Sequence, residues 1–172
     1  CVTNIPPTSA QGDVRFLDVL ERMGCTVSRG ESLYVTGPPQ LRPLGVVDLN
    51  ALPDAAMTVA VLAAFCRGET RLCNIANLRL KETDRLRALA TELHKLGVDV
   101  TELADGLQIN GNPDTLHGAE IATYDDHRMA MCFGMAGARL PGVRVQEPAC
   151  VRKTYPGFWD DLQHVGIQVK QA

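Results

Sequence analysis

The chain lacks most of the signatures that would assign a protein to a familiar chemistry. No Gly-x-x-x-x-Gly-Lys-Ser/Thr loop, no Gly-x-Gly-x-x-Gly after a strand and no Gly-x-Ser-x-Gly occurs. Nucleotide-binding and serine-hydrolase readings therefore have no support. There is no excess of charge of one sign: 17 basic against 20 acidic residues give a net charge of −3. Nothing draws the whole molecule to nucleic acid or to an acidic membrane, so any anion site must be local. Long apolar runs are missing too. The longest, from Met57 to Cys66, is interrupted by Thr58 and falls well short of the roughly 20 residues that span a bilayer, so no membrane partner is expected. The six cysteines (Cys1, Cys25, Cys66, Cys73, Cys132 and Cys150) form no Cys-x-x-Cys pair. Several lie inside apolar runs, as reduced thiols of a cytoplasmic protein do. No signal-peptide pattern opens the chain, yet neither does an initiator Met, and the sequence reads as part of something longer.

What is present is enough apolar mass, 45% of 172 residues, for one globular domain, and an internal repeat of about seventy residues. Gly12 to Gly24 carries apolar residues at 16, 17, 19, 20 and 23, a helical spacing that ends on a capping glycine. Two strand-like runs follow, Cys25 to Ser28 and Leu33 to Thr36, around a turn containing Gly30. Thr83 to Gly97 repeats the helix, and Val98 to Leu103 with Leu107 to Asn110 repeats the hairpin. Tyr155 to Gly166, then Ile167 to Val169, starts a third copy. A second, almost wholly apolar helix starts near Asp54 and again near Asp126, each time with an acid where a helix N-terminus favours one. Strands Thr70 to Ile75 and Val143 to Gln146 come next. Such alternation predicts an α/β layered domain with the nearly all-apolar helices buried and the Arg/Glu/Lys-bearing ones half exposed. Its repeat units run over about 12–80, 81–150 and, in part, 151–172.

Three charged clusters sit where repeated helices begin. Lys81-Glu82-Thr83-Asp84-Arg85 could be an ordinary capping segment, but two cations at a helix start also suit an anion. Tyr124-Asp125-Asp126-His127-Arg128 opens a helix that is apolar thereafter, and charges so close to a buried helix need partners or a ligand. Val151-Arg152-Lys153-Thr154-Tyr155 is the third. His94, His117 and His164 have no ligand-like spacing, so no metal site is expected. With the repeats stacked in parallel, Asp54, Lys81, Glu82, Arg85, Asp126, Arg128 and Lys153 should converge on one rim. That rim would offer cations for phosphate or carboxylate and acids for proton transfer.

Pro-Asp-Ala-Ala-Met-Thr at 53–58, Lys-Glu-Thr-Asp-Arg at 81–85, Tyr-Asp-Asp-His-Arg-Met-Ala-Met at 124–131 and Arg-Lys-Thr-Tyr-Pro at 152–156 together resemble the C-terminal signature set of the EPSP synthase family. The resemblance extends over essentially the whole chain. It implies a two-domain enzyme, each domain a pseudo-threefold array of β-α-β-α-β-β units with helices buried inside and sheets outside, that closes over its substrates. The implied reaction transfers the enolpyruvyl group of phosphoenolpyruvate to the 5-hydroxyl of shikimate 3-phosphate, with no metal or organic cofactor. By position, Asp54 would assist removal of the 5-hydroxyl proton and meet the shikimate hydroxyls, and Asn77 and Lys81 would bind shikimate 3-phosphate. Glu82 would protonate the phosphoenolpyruvate methylene. Arg85, Arg128 and Lys153 would bind phosphoenolpyruvate, with Asp126 and His127 lining the same region. The family's N-terminal Lys-Ser, Asn-Ala-Gly-Thr and Ser-Ser-Gln segments do not occur here. The expected partner is accordingly the N-terminal domain of the same enzyme, without which the chain should be inactive or nearly so. Two alternatives stay open: the enolpyruvyl transferase acting on UDP-N-acetylglucosamine, and an isolated domain that binds anions weakly. The 81–85 segment favours the shikimate enzyme, and no cysteine sits in a context like the rival's reactive loop.

Overall fold

The computed structural model describes residues 1–3, 5, 9 and 11–170. A 3-10 turn, Gly12–Arg15, leads into helix α1, Phe16–Arg22, and then the antiparallel hairpin β1 (Thr26–Arg29) and β2 (Leu33–Thr36). Strand β3 (Gly45–Asp48), helix α2 (Ala56–Ala64) and strand β4 (Gly68–Cys73) form a crossover that leaves β3 and β4 parallel. After a 3-10 helix at Ala76–Leu80 the same order returns: α3 (Arg85–Lys95), the hairpin β5 (Asp99–Leu103) and β6 (Gly106–Gly111), β7 (Glu120–Ile121), α4 (His127–Ala136) and β8 (Arg144–Val145). Strands β7 and β8 are parallel, as β3 and β4 are. A last 3-10 helix, Pro148–Lys153, and α5, Phe158–His164, complete the described elements.

Helix α2 contains no charged residue, and seven of its positions, Ala56, Met57, Val59, Ala60, Val61, Ala63 and Ala64, are buried. A helix apolar on every side has no face to offer water and must lie inside. It packs on β4, β6, α3 and α4. The four-stranded sheet, in the order β3-β4-β6-β5, covers it from one side. Gly111 makes that cover close, because a Cβ there would collide with the Ala63 carbonyl of α2, while Gly106 lets β6 approach the Leu72 carbonyl of its neighbour β4. Helix α3 buries Leu86, Leu89 and Leu93 in the same core, and each truncated to Ala would cost about 2–5 kcal/mol. The three glycines read as helix stops, Gly24, Gly97 and Gly166, all take left-handed backbone, with φ of 97°, 86° and 91°.

Two expectations need correction. Asp54 does not cap α2, since the capping position is Ala55 and no side chain bonds the first turn. Asp126, its counterpart, does cap α4, accepting from the Arg128 amide at 2.8 Å. The strand-like run Ile167 to Val169 forms no ladder and lies irregular against α5.

Candidate active site

Helices α2, α3 and α4 meet near their starts, and the charged clusters of the sequence meet with them. Arg85, the first residue of α3, is the hub. Its guanidinium is 1% exposed and is surrounded by three carboxylates. Nε donates to Asp126 Oδ2 at 2.7 Å, Nη1 to Asp54 Oδ1 at 3.1 Å and Nη2 to Glu82 Oε2 at 2.7 Å. A planar fork with five donors spread over three nitrogens suits such a position, since it reaches carboxylates too far apart to share one compact ammonium. Asp126 is itself wholly buried and divides its oxygens between Arg85 and the α4 cap. It is a structural pin for both helices.

Asp54 faces outward by comparison, one third exposed. Its carboxylate meets Arg128 at 3.1 Å and Lys81 at 3.6 Å besides Arg85. Glu82 is clamped between Arg85 and Lys153, whose Nζ donates to Oε1 at 2.7 Å. The Lys153 bond, the residue's own backbone amide and the Arg85 charge together outweigh partial burial and bring the Glu82 carboxyl down to about 2. The sequence thus brings seven candidates onto one rim: four cations (Lys81, Arg85, Arg128, Lys153) against three carboxylates (Asp54, Glu82, Asp126). The difference is one positive charge. Lys153, 57% exposed, and Lys81 and Arg128, each about one third exposed, are the cations an incoming anion can reach directly.

His127 lies beside this network with a buried Nδ1 that has no hydrogen-bond partner. Glu82 and Asp126 are 3.9 and 4.0 Å away and would favour a charged ring. Burial acts the other way and is the larger effect, holding the imidazole pKa below its ordinary 6.5. The ring is therefore neutral at pH 7, and those two distances are not ion pairs. Asn77 stands apart. It is exposed on the 3-10 helix that precedes Lys81 and lines a shallow hollow of about 390 Å³ with Asn50, Asn74, Ala76 and Asp105. It makes no side-chain bond to the ion network. Sequence reasoning did not single out Asn50, Asn74 or Asp105; the left-handed φ of 60° at Asn74 is a backbone signal invisible in composition. It also passed over Glu92, although Arg85, Leu89, Glu92 and Leu96 fall on one helical stripe and place an acid among leucines. Among the described residues no three His, Cys, Asp or Glu side chains gather to hold a metal ion, and no helix is long and apolar enough to cross a membrane.

The fold is an α/β domain that gathers four cations and three carboxylates at the starts of repeated helices. Comparison with known proteins makes that class specific. The sequence profile of EPSP synthase (3-phosphoshikimate 1-carboxyvinyltransferase) matches residues 1–162, and the chain belongs to the EPSP synthase family. Among curated relatives, the 3-phosphoshikimate 1-carboxyvinyltransferase of Syntrophobacter fumaroxidans is 47% identical over 160 residues, 92% of this chain and 38% of the relative. That of Cellvibrio japonicus is 48% identical over 166 residues, 95% of this chain and 39% of the relative. An EPSP synthase structure from Acinetobacter baumannii superposes with a TM-score of 0.80 at 29% identity, over 97% of this chain and 41% of that one. The fold extends to the enolpyruvyl transferase NikO from Streptomyces tendae, with a TM-score of 0.75 at 22% identity, over 92% of this chain and 36% of that one. The chain spans a little under two fifths of the length of the curated relatives it matches.

Proposed function

We propose that this chain forms one wall of the active site of an enzyme that transfers the enolpyruvyl group of phosphoenolpyruvate to the 5-hydroxyl of shikimate 3-phosphate. The observation that carries the reading is the convergence of Asp54, Lys81, Glu82, Arg85, Arg128 and Lys153, up to about a hundred residues apart in sequence, into one ion network. The carboxylates pair with the same cations that substrate anions would claim. In the proposed reaction the 5-hydroxyl oxygen attacks C2 of phosphoenolpyruvate while Asp54 takes its proton and Glu82 protonates C3. The resulting tetrahedral intermediate then loses phosphate from C2 and a proton from C3. Lys81 and Asn77 bind shikimate 3-phosphate, Arg128 and Lys153 bind phosphoenolpyruvate, Arg85 joins them where the substrate displaces Glu82 from its guanidinium, and Asp126 and His127 line that region. No cofactor enters the scheme.

Glu82 needs a change of state to act as the donor, because a carboxyl near 2 is ionised at neutral pH. A substrate phosphate or carboxylate that draws Lys153 away removes the largest cause of the depression, so binding itself raises the Glu82 pKa toward working range. The net charge of the wall, one positive, is too small to neutralise two polyanionic substrates. The remainder of the enzyme supplies the balance and the opposite wall, and the chain alone is inactive or nearly so, since holding both reactants between two walls is a large part of such catalysis. The chain is read as one domain with units at about 12–80, 81–150 and, in part, 151–172. The free thiols, Cys66 and Cys132 buried among them, fit a cytoplasmic setting.

Phosphate release from the two substrates tests the reading, with the chain alone and with a separately produced N-terminal complement. Release only from the mixture supports it. Silence from a mixture in which both folded pieces bind each other would remove it.

A further inference from the structure

Outside the ion network, one buried carboxylate has no part in the scheme above. Glu92, in the middle of α3, is 0% exposed and both its oxygens are engaged. Its Oε1 accepts from the Tyr124 hydroxyl at 2.7 Å, its Oε2 from the Ala122 amide at 3.1 Å, and both accept from Lys95 Nζ at 2.9 and 2.7 Å. The segment it grips is the turn leading into α4. Tyr124 and Asp125 are consecutive non-glycine residues in left-handed backbone, with φ of 55° and 54°. Such a conformation persists only where its surroundings impose it. The turn closes through the Asp126 amide, which donates to the Thr123 carbonyl at 2.9 Å, and directly beyond it stand Asp126, His127 and Arg128.

The first half of the chain shows that the fold does not need this polar contact. Aligned on Gly24 and Gly97, Glu92 corresponds to Val19; aligned on Asp54 and Asp126, Tyr124 corresponds to Leu52. Both counterparts are buried apolar residues, 5% and 6% exposed, and no described residue from 50 to 53 has left-handed backbone. An apolar pair therefore suffices to join amphipathic helix to crossover start. A wholly buried carboxylate, even with the half-exposed Lys95 beside it, gains little stability over a well-packed apolar side chain, so the charge at Glu92 is better explained by what it holds.

We propose that Glu92 is a positioning residue: through Tyr124 and the Ala122 amide it clamps the left-handed turn that sets Arg128 and Asp126 at the phosphoenolpyruvate side of the site. The inference rests on the function proposed above for its consequence in catalysis, though not for the clamp itself. Two readouts on the full-length enzyme carrying these residues separate the two. In Glu92→Gln, and more mildly in Tyr124→Phe, amide hydrogen exchange at Asp126 and Arg128 should quicken at least tenfold. At temperatures well below unfolding, KM for phosphoenolpyruvate should rise about tenfold per folded enzyme, a loss of roughly 1.4 kcal/mol. KM for shikimate 3-phosphate should change less, because Asn77 and Lys81 precede α3 and lie outside the clamp. The double variant should be no worse than Glu92→Gln, since both act through one contact. Faster exchange with unchanged kinetics would overturn the positioning role, and unchanged exchange would overturn the clamp. A wild-type enzyme without turnover would fault the proposed function, and exchange alone would then decide the clamp. If Glu92→Gln does not fold, Tyr124→Phe, which removes a single bond, gives the same tests.

Discussion

Replacing Asp126 by Ala should be the most damaging single change in the site, and the reason is stability before catalysis. The wholly buried carboxylate makes two bonds to Arg85, at 2.7 and 3.3 Å, and one to the Arg128 amide at 2.8 Å. Breaking a buried pair by removing one partner costs about 3–5 kcal/mol, because the other charge stays buried. Loss of a helix cap costs a further 0.5–2 kcal/mol or so. The two losses overlap, and Asp54 and Glu82 still neutralise Arg85, so the expected cost is about 3–5 kcal/mol. Total stabilities are only about 5–15 kcal/mol, so the variant would lie near its unfolding limit. Asp126→Asn can still cap α4 through its amide oxygen, but its NH2 would confront the Arg85 Nε–H. It should recover no more than the cap, about 1 kcal/mol. Urea unfolding followed through the single tryptophan, Trp159, gives both numbers by linear extrapolation. If either variant unfolds within about 1 kcal/mol of wild type, the hub described around Arg85 does not hold α3 and α4 together.

Other consequences follow from the same geometry. Glu82 is held at about 2 against an ordinary 4.5, so its share of stability is complete above about pH 4.5 and is lost as pH falls toward 2. Lys153→Ala removes the largest cause, so carbon NMR titration should show the Glu82 carboxyl rising, and the acid side of the stability curve should flatten. His127 should titrate below 6.5 in a proton NMR titration; a value above it would mean that Glu82 and Asp126, not burial, govern the ring. The Cys66 and Cys132 thiols, raised by burial to about 11, should resist a disulfide reagent until the protein unfolds, while exposed Cys1 reacts at once.

Much of this arrangement is legible from local pattern because repetition doubles each signal. The glycines at 24, 97 and 166 mark three helix ends, and the charge-free run around Val59 identifies a helix with nowhere to go but inside. Helix starts rich in charge reveal which end of the array gathers the ion network. What pattern cannot supply is the distinction between equivalent positions. Asp54 and Asp126 look alike in sequence, yet one is a third exposed and the other is a buried cap, and that depends on Arg85 crossing from α3. Glu92 is hidden for the same reason: its partners, at 122 and 124, are thirty residues away and come near only when β7 packs on α3. Asn77, placed by resemblance, sits in a separate hollow from the ion network.

The central claim is that the Glu82–Lys153 clamp opens onto a transferable enolpyruvyl group, and steady-state phosphate release by the enzyme reassembled from this chain and its complement tests it most directly. Glu82→Gln should lower kcat by about 10²–10⁴-fold, the usual worth of a proton donor, with KM for shikimate 3-phosphate little changed. Lys153→Ala should raise KM for phosphoenolpyruvate. Full activity in a folded Glu82→Gln enzyme would contradict the account, because no other acid of the network is both exposed to substrate and free of the Asp54 role.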